Sequence, residues 1–593
     1  MKNSPIEENR NALAVLICIF VFLFWYEWQI APANRAANRR LEQNQELPKK
    51  MAEQPIVSAR VANDGDQDRN LKNGVILPSI EEIEKEGIIN VRGEKIDYQL
   101  TLLGGRLKSF KLLNYKAKNR SDQILDMVSG GEDFELPLGL FVGNKSDAKV
   151  LYKLVEVNDK PYEKSLSKNI FFPLSVPVSE LSLTLEGELE GVGTIRKKVF
   201  FSDETYLGEV SVKLNSFENL EKRPQPLWIN WNHLIDRKSL EEQINPTQIS
   251  SLQDNKLHLF KEINTDKRAT PHGLAEWIAL GNKYFLAALI SPNLARVATD
   301  RAQSERLQTA TLHTDNFSSV YFGGVSDYLN IKIYLGPKYY DRLKKLGYEL
   351  HRAVDLGIFA FVAHPLLFCI KFFYGIFGNY GLAIILLTLL IKFIFLPLTK
   401  TSLESMKAMQ SLQPEITSLK ERIKDPTELN KAMMKLYKDR GVNPMGGCLP
   451  IVIQIPVFLG LYNALNNSIE LRHANFALWI NDLSAPERLN LLGMGIPVMV
   501  LIMGASMIIQ QLTAPAVGDP AQRRTMLIMS VVFTVIFMIS PFPSGLVLYW
   551  LINNIISIVQ QYFLKSEKIF HPYRATIMAS LAIFVFGYIL TLI

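Results

Sequence analysis

The stretch Gly381-Leu-Ala-Ile-Ile-Leu-Leu-Thr388-Leu-Leu-Ile-Lys392-Phe-Ile-Phe-Leu-Pro-Leu398 is apolar apart from one hydroxyl and one lysine. Read as a helix rising about 1.5 Å per residue, it carries Lys392 roughly 16 Å in, near the middle of a hydrocarbon core about 30 Å thick. A charge at that depth is costly. Either it lines a polar cavity, or its stem snorkels to headgroups beyond Leu398, and depth alone favours neither reading. Thr388, four residues earlier, projects from the same face.

Working outward, further apolar runs cover Gly446 to Leu465, Leu492 to Leu512, Met526 to Ile539, Leu546 to Leu564 and Ala575 to Ile593. Most are long enough to span a bilayer, whereas Met526 to Ile539 needs its neighbours' help. Near the start, Ala12 to Trp28 ends in Trp25, Tyr26 and Trp28 at headgroup level, so residues 1–30 read as a transmembrane anchor. The A-x-A-like pair Ala31 and Ala33 keeps a cleaved signal peptide open as the second reading. Residues 31–73 are polar and lack aromatics, which makes them a flexible linker.

Residues 74–338 alternate with period two: Ile96, Tyr98, Leu100, Leu102; Leu181, Leu183, Leu185; Val210, Val212, Leu214; Ile331, Ile333, Leu335. These are half-buried strands, and the expected architecture is an antiparallel β-sandwich. Residues 339–378 set Arg342, Lys344, Lys345, His351 and Arg352 among Leu343, Leu346, Leu350 and Val354, then turn apolar with His364-Pro365 and Lys371 interrupting. That pattern suits an amphipathic helix in the interface. Residues 379–565 read as a core of five transmembrane helices with a helical hairpin at 400–442, and 566–593 as a tail whose apolar run is a candidate extra span.

In the hairpin, Met406, Met409, Leu412, Ile416, Leu419 and Ile423 recur at helical spacing, Asp425-Pro426 breaks the chain, and Leu429, Met433 and Leu436 resume. Lys400 to Arg440 holds nine Lys/Arg, which places it in the cytoplasm and the strand-rich domain outside. Arg35, Arg39, Arg40, Lys49 and Lys50 on the outer flank of the first span oppose this, and the later helices are expected to override them.

The spans carry polar groups: Gln454, Tyr462 and Asn463; Ser506, Gln510 and Gln511; Asn553, Asn554, Ser557, Gln560 and Gln561. Each alone reads as an interhelical hydrogen bond, and together with an unpaired cation they fit a water-filled groove. A net charge of +7 over 593 residues is too dispersed for nucleic-acid recognition. Cys18, Cys369 and Cys448 have no ligand spacing, so neither metal nor cofactor is expected. No Walker sequence, GxSxG or HExxH occurs, which points to a non-enzyme.

The motifs Asn443-Pro, Gly446-Gly-Cys-Leu-Pro, Gln454-Ile-Pro-Val-Phe458, Phe476-Ala-Leu-Trp-Ile480 and Phe542-Pro-Ser-Gly-Leu-Val-Leu-Tyr-Trp550, in this order, resemble the YidC insertase family. The resemblance is strong over Tyr339 to Gln561 and is similar to the Gram-negative form around Ile96 to Tyr115. It implies a polytopic α-helical inner-membrane protein with a β-supersandwich periplasmic domain and a cytoplasmic helical hairpin. It also implies a hydrophilic groove in which one basic residue receives the polar flank of an incoming segment. Lys392 aligns with that residue, and Thr388, Gln454, Ile455, Phe458, Met538, Tyr549 and Trp550 match groove or substrate-contact positions.

Partners implied are nascent integral membrane proteins, the Sec translocon, the ribosome and the lipid bilayer. Lysine stands where the family most often has arginine, which keeps the charge and loses the bidentate fork. The apolar Ala575 to Ile593 replaces a basic tail, which counts against ribosome binding through it. The rival readings are a secondary transporter and a membrane enzyme with Lys392 as general base, for which Thr388 is the nearest nucleophile by spacing.

Overall fold

The structure, a computed structural model, describes residues 87–117, 122–128, 135–162, 169–172, 181–216, 226–235, 245–260, 270–291, 307–313, 317–442, 449–491, 494–514, 520–565 and 572–592. The expected anchor, the linker and the Asn443 to Cys448 motif lie outside the described residues. The chain divides into two compact units at Val354/Asp355.

The first unit is built from strands whose alternation decides which face is buried. Ile96, Tyr98 and Leu100, then Leu183 and Leu185, Val210 and Val212, and Ile331 and Ile333 are fully buried. Ten strands form the largest sheet, with Leu207–Ser216 beside Tyr328–Pro337 at its centre in antiparallel register, Val210 opposite Ile331. A six-stranded sheet centres on Pro226–Leu234 and Phe317–Val325, and a five-stranded one on Arg106–Lys116, Ile96–Thr101 and Ile88–Arg92. The antiparallel expectation fails at one edge, where Asn169–Phe172 pairs parallel to Ile88–Arg92. No hairpin joins these strands, since other strands intervene along the chain, so no tight turn imposes the antiparallel direction. Tyr98 and Phe110 of the five-stranded sheet close on Phe201 of the ten-stranded one at 5.1 and 5.0 Å between ring centroids.

Beside this apolar contact lies an ionic hub. Asp147 accepts from Lys197 Nζ at 2.9 Å, Arg106 Nη2 at 3.2 Å and the Tyr152 hydroxyl at 3.1 Å, and Arg106 also pairs with Glu135 at 2.9 Å. Lys197 adds the carbonyls of Gly104, Gly105 and Leu138. Burial pushes the Lys197 amine below its ordinary range, against the pull of Asp147. Burial likewise lifts the Glu135 carboxyl, and Arg106 opposes it. No spacing in the chain announces this cluster, because its members come from separate strands and loops.

In the second unit the helices follow the apolar runs with revised ends. The first unit closes with α1 (Tyr340–Leu346) and a 3-10 turn at Leu350–Ala353; the second opens with α2 (Ala360–Phe377), so the expected interfacial segment is broken into pieces. Gly378 in the left-handed region ends α2, and Asn379 caps α3 (Tyr380–Ile394) by accepting from the Leu382 amide at 3.0 Å. Helix α3 stops four residues short of Leu398. Pro397 has no amide hydrogen with which to continue the α3 ladder, and the chain bends by 61° into α4 (Leu396–Ser411). The expected hairpin continues over α5 (Gln413–Arg422) and α6 (Pro426–Asp439). Asp425 caps α6 with Pro426 as its first residue, and an exposed Arg440–Glu415 pair at 2.7 Å fixes register more than stability.

Helix α7 (Leu449–Asn467) follows, then α8 (Val498–Thr513), α9 (Pro520–Ile539), α10 (Ser544–Lys565) and α11 (Pro572–Leu592). The run from Leu492 is therefore not helical at its start. Met494–Ile496 pairs with Leu489–Leu491 as a strand, and Pro497, whose ring disfavours a helix interior, is the N-cap at which α8 begins. Helix α9 is longer than the run Met526 to Ile539, because it extends through Arg523 and Arg524. Among the described residues α2 alone is long and apolar enough to cross a membrane by itself, and α3 with α4 qualify as a bent pair. Leu382, Ile384, Leu387, Leu461, Leu465, Leu546 and Val547 share the core, and Ile583 and Phe584 of α11 pack against it.

Candidate functional site

Helix α3 delivers Lys392 in its last turn, where free carbonyls favour a cation. The side chain is only 4% exposed, and its ammonium donates to Ser557 Oγ of α10 at 2.7 Å. The Ser557 hydroxyl donates in turn to the Asn553 carbonyl at 2.9 Å. Thr388 is fully buried and spends its hydroxyl on the Ile384 carbonyl at 2.7 Å, the back-bonding that threonine favours within a helix. Among the described residues the ammonium of Lys392 bonds Ser557 and not Thr388, the nucleophile expected by spacing. Ser557 is the hydroxyl within reach.

Further along α10, Trp550 is half-buried and meets Phe458 of α7 edge-on at 4.9 Å and Phe537 of α9 at 5.5 Å. Phe542 stacks on Phe537 at 4.4 Å and meets Tyr462 at 5.9 Å, so the cluster ties three helices together. Trp550 and Ser557 are seven residues apart, hence on one face of α10, about 10 Å apart along its axis. Gln454 and Met538 are half-buried, Ile455 is 47% exposed, and Tyr549 is buried within the core. Thr388 and Tyr549 are therefore interior residues here, and Ile455 is the most accessible of the expected contacts. Phe533 and Phe537 were not among them, although their spacing of four on α9 places both rings on one face.

Several other polar groups on these helices bond between helices: Asn554 to Ser506 at 2.9 Å, Thr513 to Gln561 at 2.8 Å, and Gln560 to Thr576 of α11 at 3.0 Å. Lys371 of α2 pairs with Glu470 at 3.4 Å. Phe476 fills the space beside Gly381, and its carbonyl accepts from the Asn379 side chain at 2.9 Å, while Trp479 donates to Glu487. That motif clamps the start of α3. Among the described residues no cluster of His, Cys, Asp and Glu could hold a metal.

A family model described as 60Kd inner membrane protein matches residues 372–570, and one described as YidC periplasmic domain matches 88–369. A membrane protein insertase YidC from Syntrophus aciditrophicus is 37% identical over 519 residues, covering 84% of this chain and 88% of that protein. Another from Pelobacter propionicus is 33% identical over 596 residues, covering 94% and 99%. The chain belongs to the YidC family. The two family regions meet inside α2, whereas the compact units separate at Val354/Asp355, so α2 packs with the helical unit although most of it falls in the region named for the periplasmic domain. Lys392, Trp550 and Ser557 lie within the stretch matched by the 60Kd inner membrane protein model.

Proposed function

We propose that this chain is an inner-membrane insertase and chaperone that helps apolar segments of new membrane proteins enter the bilayer. The observation that carries the reading is Lys392. One cation is buried on an apolar helix, held by a neutral hydroxyl and not by a carboxylate, on the side of α10 that also presents Trp550. A lysine in that setting has donors to offer an incoming carboxylate or carbonyl, while Phe458, Trp550, Met538 and Ile455 offer apolar and aromatic contact. Gln454 belongs to the same proposed groove, and Thr388 and Tyr549 support it from the interior.

Transfer of an apolar segment into lipid yields roughly 0.8 kcal/mol per methylene, enough to drive release without nucleotide. In this reading 1–30 anchors the chain, 31–73 tethers it, and 74–338 is the periplasmic supersandwich. Residues 339–378 lie at the interface, 379–565 form the five-span core, 400–442 faces the cytoplasm, and 566–593 adds α11. Substrates are nascent integral membrane proteins, with the Sec translocon and the ribosome as partners, and no cofactor or enzymatic step is involved.

One observation favours a second reading: a serine hydroxyl 2.7 Å from a lysine amine is also the pairing of a Ser/Lys hydrolase. Against it, Ser557 sits inside α10, where backbone amides are committed to the helix and none is free to form an oxyanion hole.

The test is insertion of a small single-span substrate into liposomes holding only this protein, comparing wild type with Lys392→Ala and Lys392→Glu. Nucleotide-independent insertion, reduced by Ala and abolished by Glu, is expected. No stimulation by wild type, or cleavage of the substrate that Ser557→Ala removes, overturns the reading.

A further inference from the structure

Lys392 has one hydrogen-bond partner among the described residues, and it is neutral. The partner is itself fixed: Ser557 donates to the Asn553 carbonyl one turn back, which sets its rotamer and leaves its oxygen lone pairs toward α3. Thr388, closer in sequence, makes the same bond back, to the Ile384 carbonyl, but it is Ser557 that the ammonium reaches. The serine is thus aimed to receive the ammonium, 165 residues away along the chain. A hydroxyl holds an ammonium more weakly than a carboxylate does, because a charge-assisted bond between two ions is the stronger one. An oxygen of higher charge can therefore displace it.

We propose that Ser557 is the resting acceptor of the Lys392 ammonium. It is a positioning residue that parks the cation against α10 and gives it up when a carboxylate or carbonyl oxygen of a substrate's polar segment arrives. Parking is a property of the empty protein, and the release step rests on the insertase reading. A single point charge on a flexible stem is satisfied by one hydroxyl and can swing away, whereas a guanidinium presents five donors in a rigid fork that one serine cannot satisfy.

The test reads the amine directly. The full chain in liposomes is pulsed with acetic anhydride, and acetylation of Lys392 is followed by mass spectrometry, with the exposed lysines of 400–440 as internal controls. Ser557→Ala and Ser557→Cys should acetylate at Lys392 roughly tenfold faster than wild type, the factor by which a hydrogen bond to a charged group weights an equilibrium. Ser557→Thr, which keeps the hydroxyl, should return to the wild-type rate.

Wild-type rates in both the Ala and Cys variants overturn the proposal, as does acceleration by Thr equal to that by Ala. The Cys variant keeps the size of the side chain, so the result does not depend on the Ala variant folding. Insertion is measured on the same samples. A wild-type protein that protects Lys392 and inserts nothing refutes the insertase reading and leaves the parking contact standing.

Discussion

Asp147→Ala removes the centre of the ionic hub and strands the Lys197 ammonium. Asp147 has no exposed surface and receives Lys197, Arg106 and Tyr152 together with the Leu140 amide at 3.0 Å. After substitution Arg106 retains Glu135, but Lys197, equally buried, keeps only carbonyls. Removing one member of a buried pair costs ~3–5 kcal/mol. For a unit of this size, ~2–4 °C per kcal/mol converts that to a loss of roughly 6–20 °C in the unfolding midpoint.

Hydrogen exchange of the full chain in detergent, read on Gly193–Phe201 and Arg106–Lys116, isolates this unit from the helices. Exchange there should accelerate by at least two orders of magnitude, at about 1.4 kcal/mol per factor of ten. Adding Lys197→Met removes the stranded charge and should recover part of the loss. Exchange within threefold of wild type in Asp147→Ala, or a double variant less stable than the single one, would refute the reasoning.

Trp550→Ala gives up ring contacts with Phe458 and Phe537 worth ~0.5–1.5 kcal/mol each. Liposome insertion should fall several-fold while Trp550→Phe retains most of it, and an Ala variant with normal insertion would remove Trp550 from the site. Burial, with a smaller contribution from His258, lowers the His272 imidazole from 6.5 to about 4 in the folded chain. The unfolded chain therefore takes up the proton first, so this group's stability is complete above pH 6.5 and is lost as pH falls toward 4. The pH dependence of exchange at Thr270–Ala275 checks this, and His272→Phe should flatten it. A methyl at Gly381 would overlap the Phe476 ring, so Gly381→Ala should destabilise the helical unit by ~1–3 kcal/mol. Thermal unfolding should show a smaller effect when Phe476→Leu is added.

Local pattern determined much of this protein. The apolar stretch around Lys392 was readable as a helix because length and composition suffice for a segment that meets its own hydrogen bonds, and the motif string from Gln454 to Trp550 was specific enough to indicate the family. Period two in 74–338 marked the buried positions, since Ile96, Tyr98, Val210, Val212, Ile331 and Ile333 are fixed by the pleat alone. Tertiary structure decided what those elements meet. Strand order, the parallel edge pair and the hub of Arg106, Asp147 and Lys197 depend on contacts between distant segments that no local period encodes. Proline placed two boundaries that hydropathy misses, at Pro397 and Pro497, because it removes a backbone donor without lowering apolarity. Lys392 was legible as a cation on an apolar helix, either lining a cavity or snorkelling, and Ser557 was one polar residue among many. Which of them receives the ammonium is settled only when α3 and α10 pack and bring one hydroxyl within 2.7 Å.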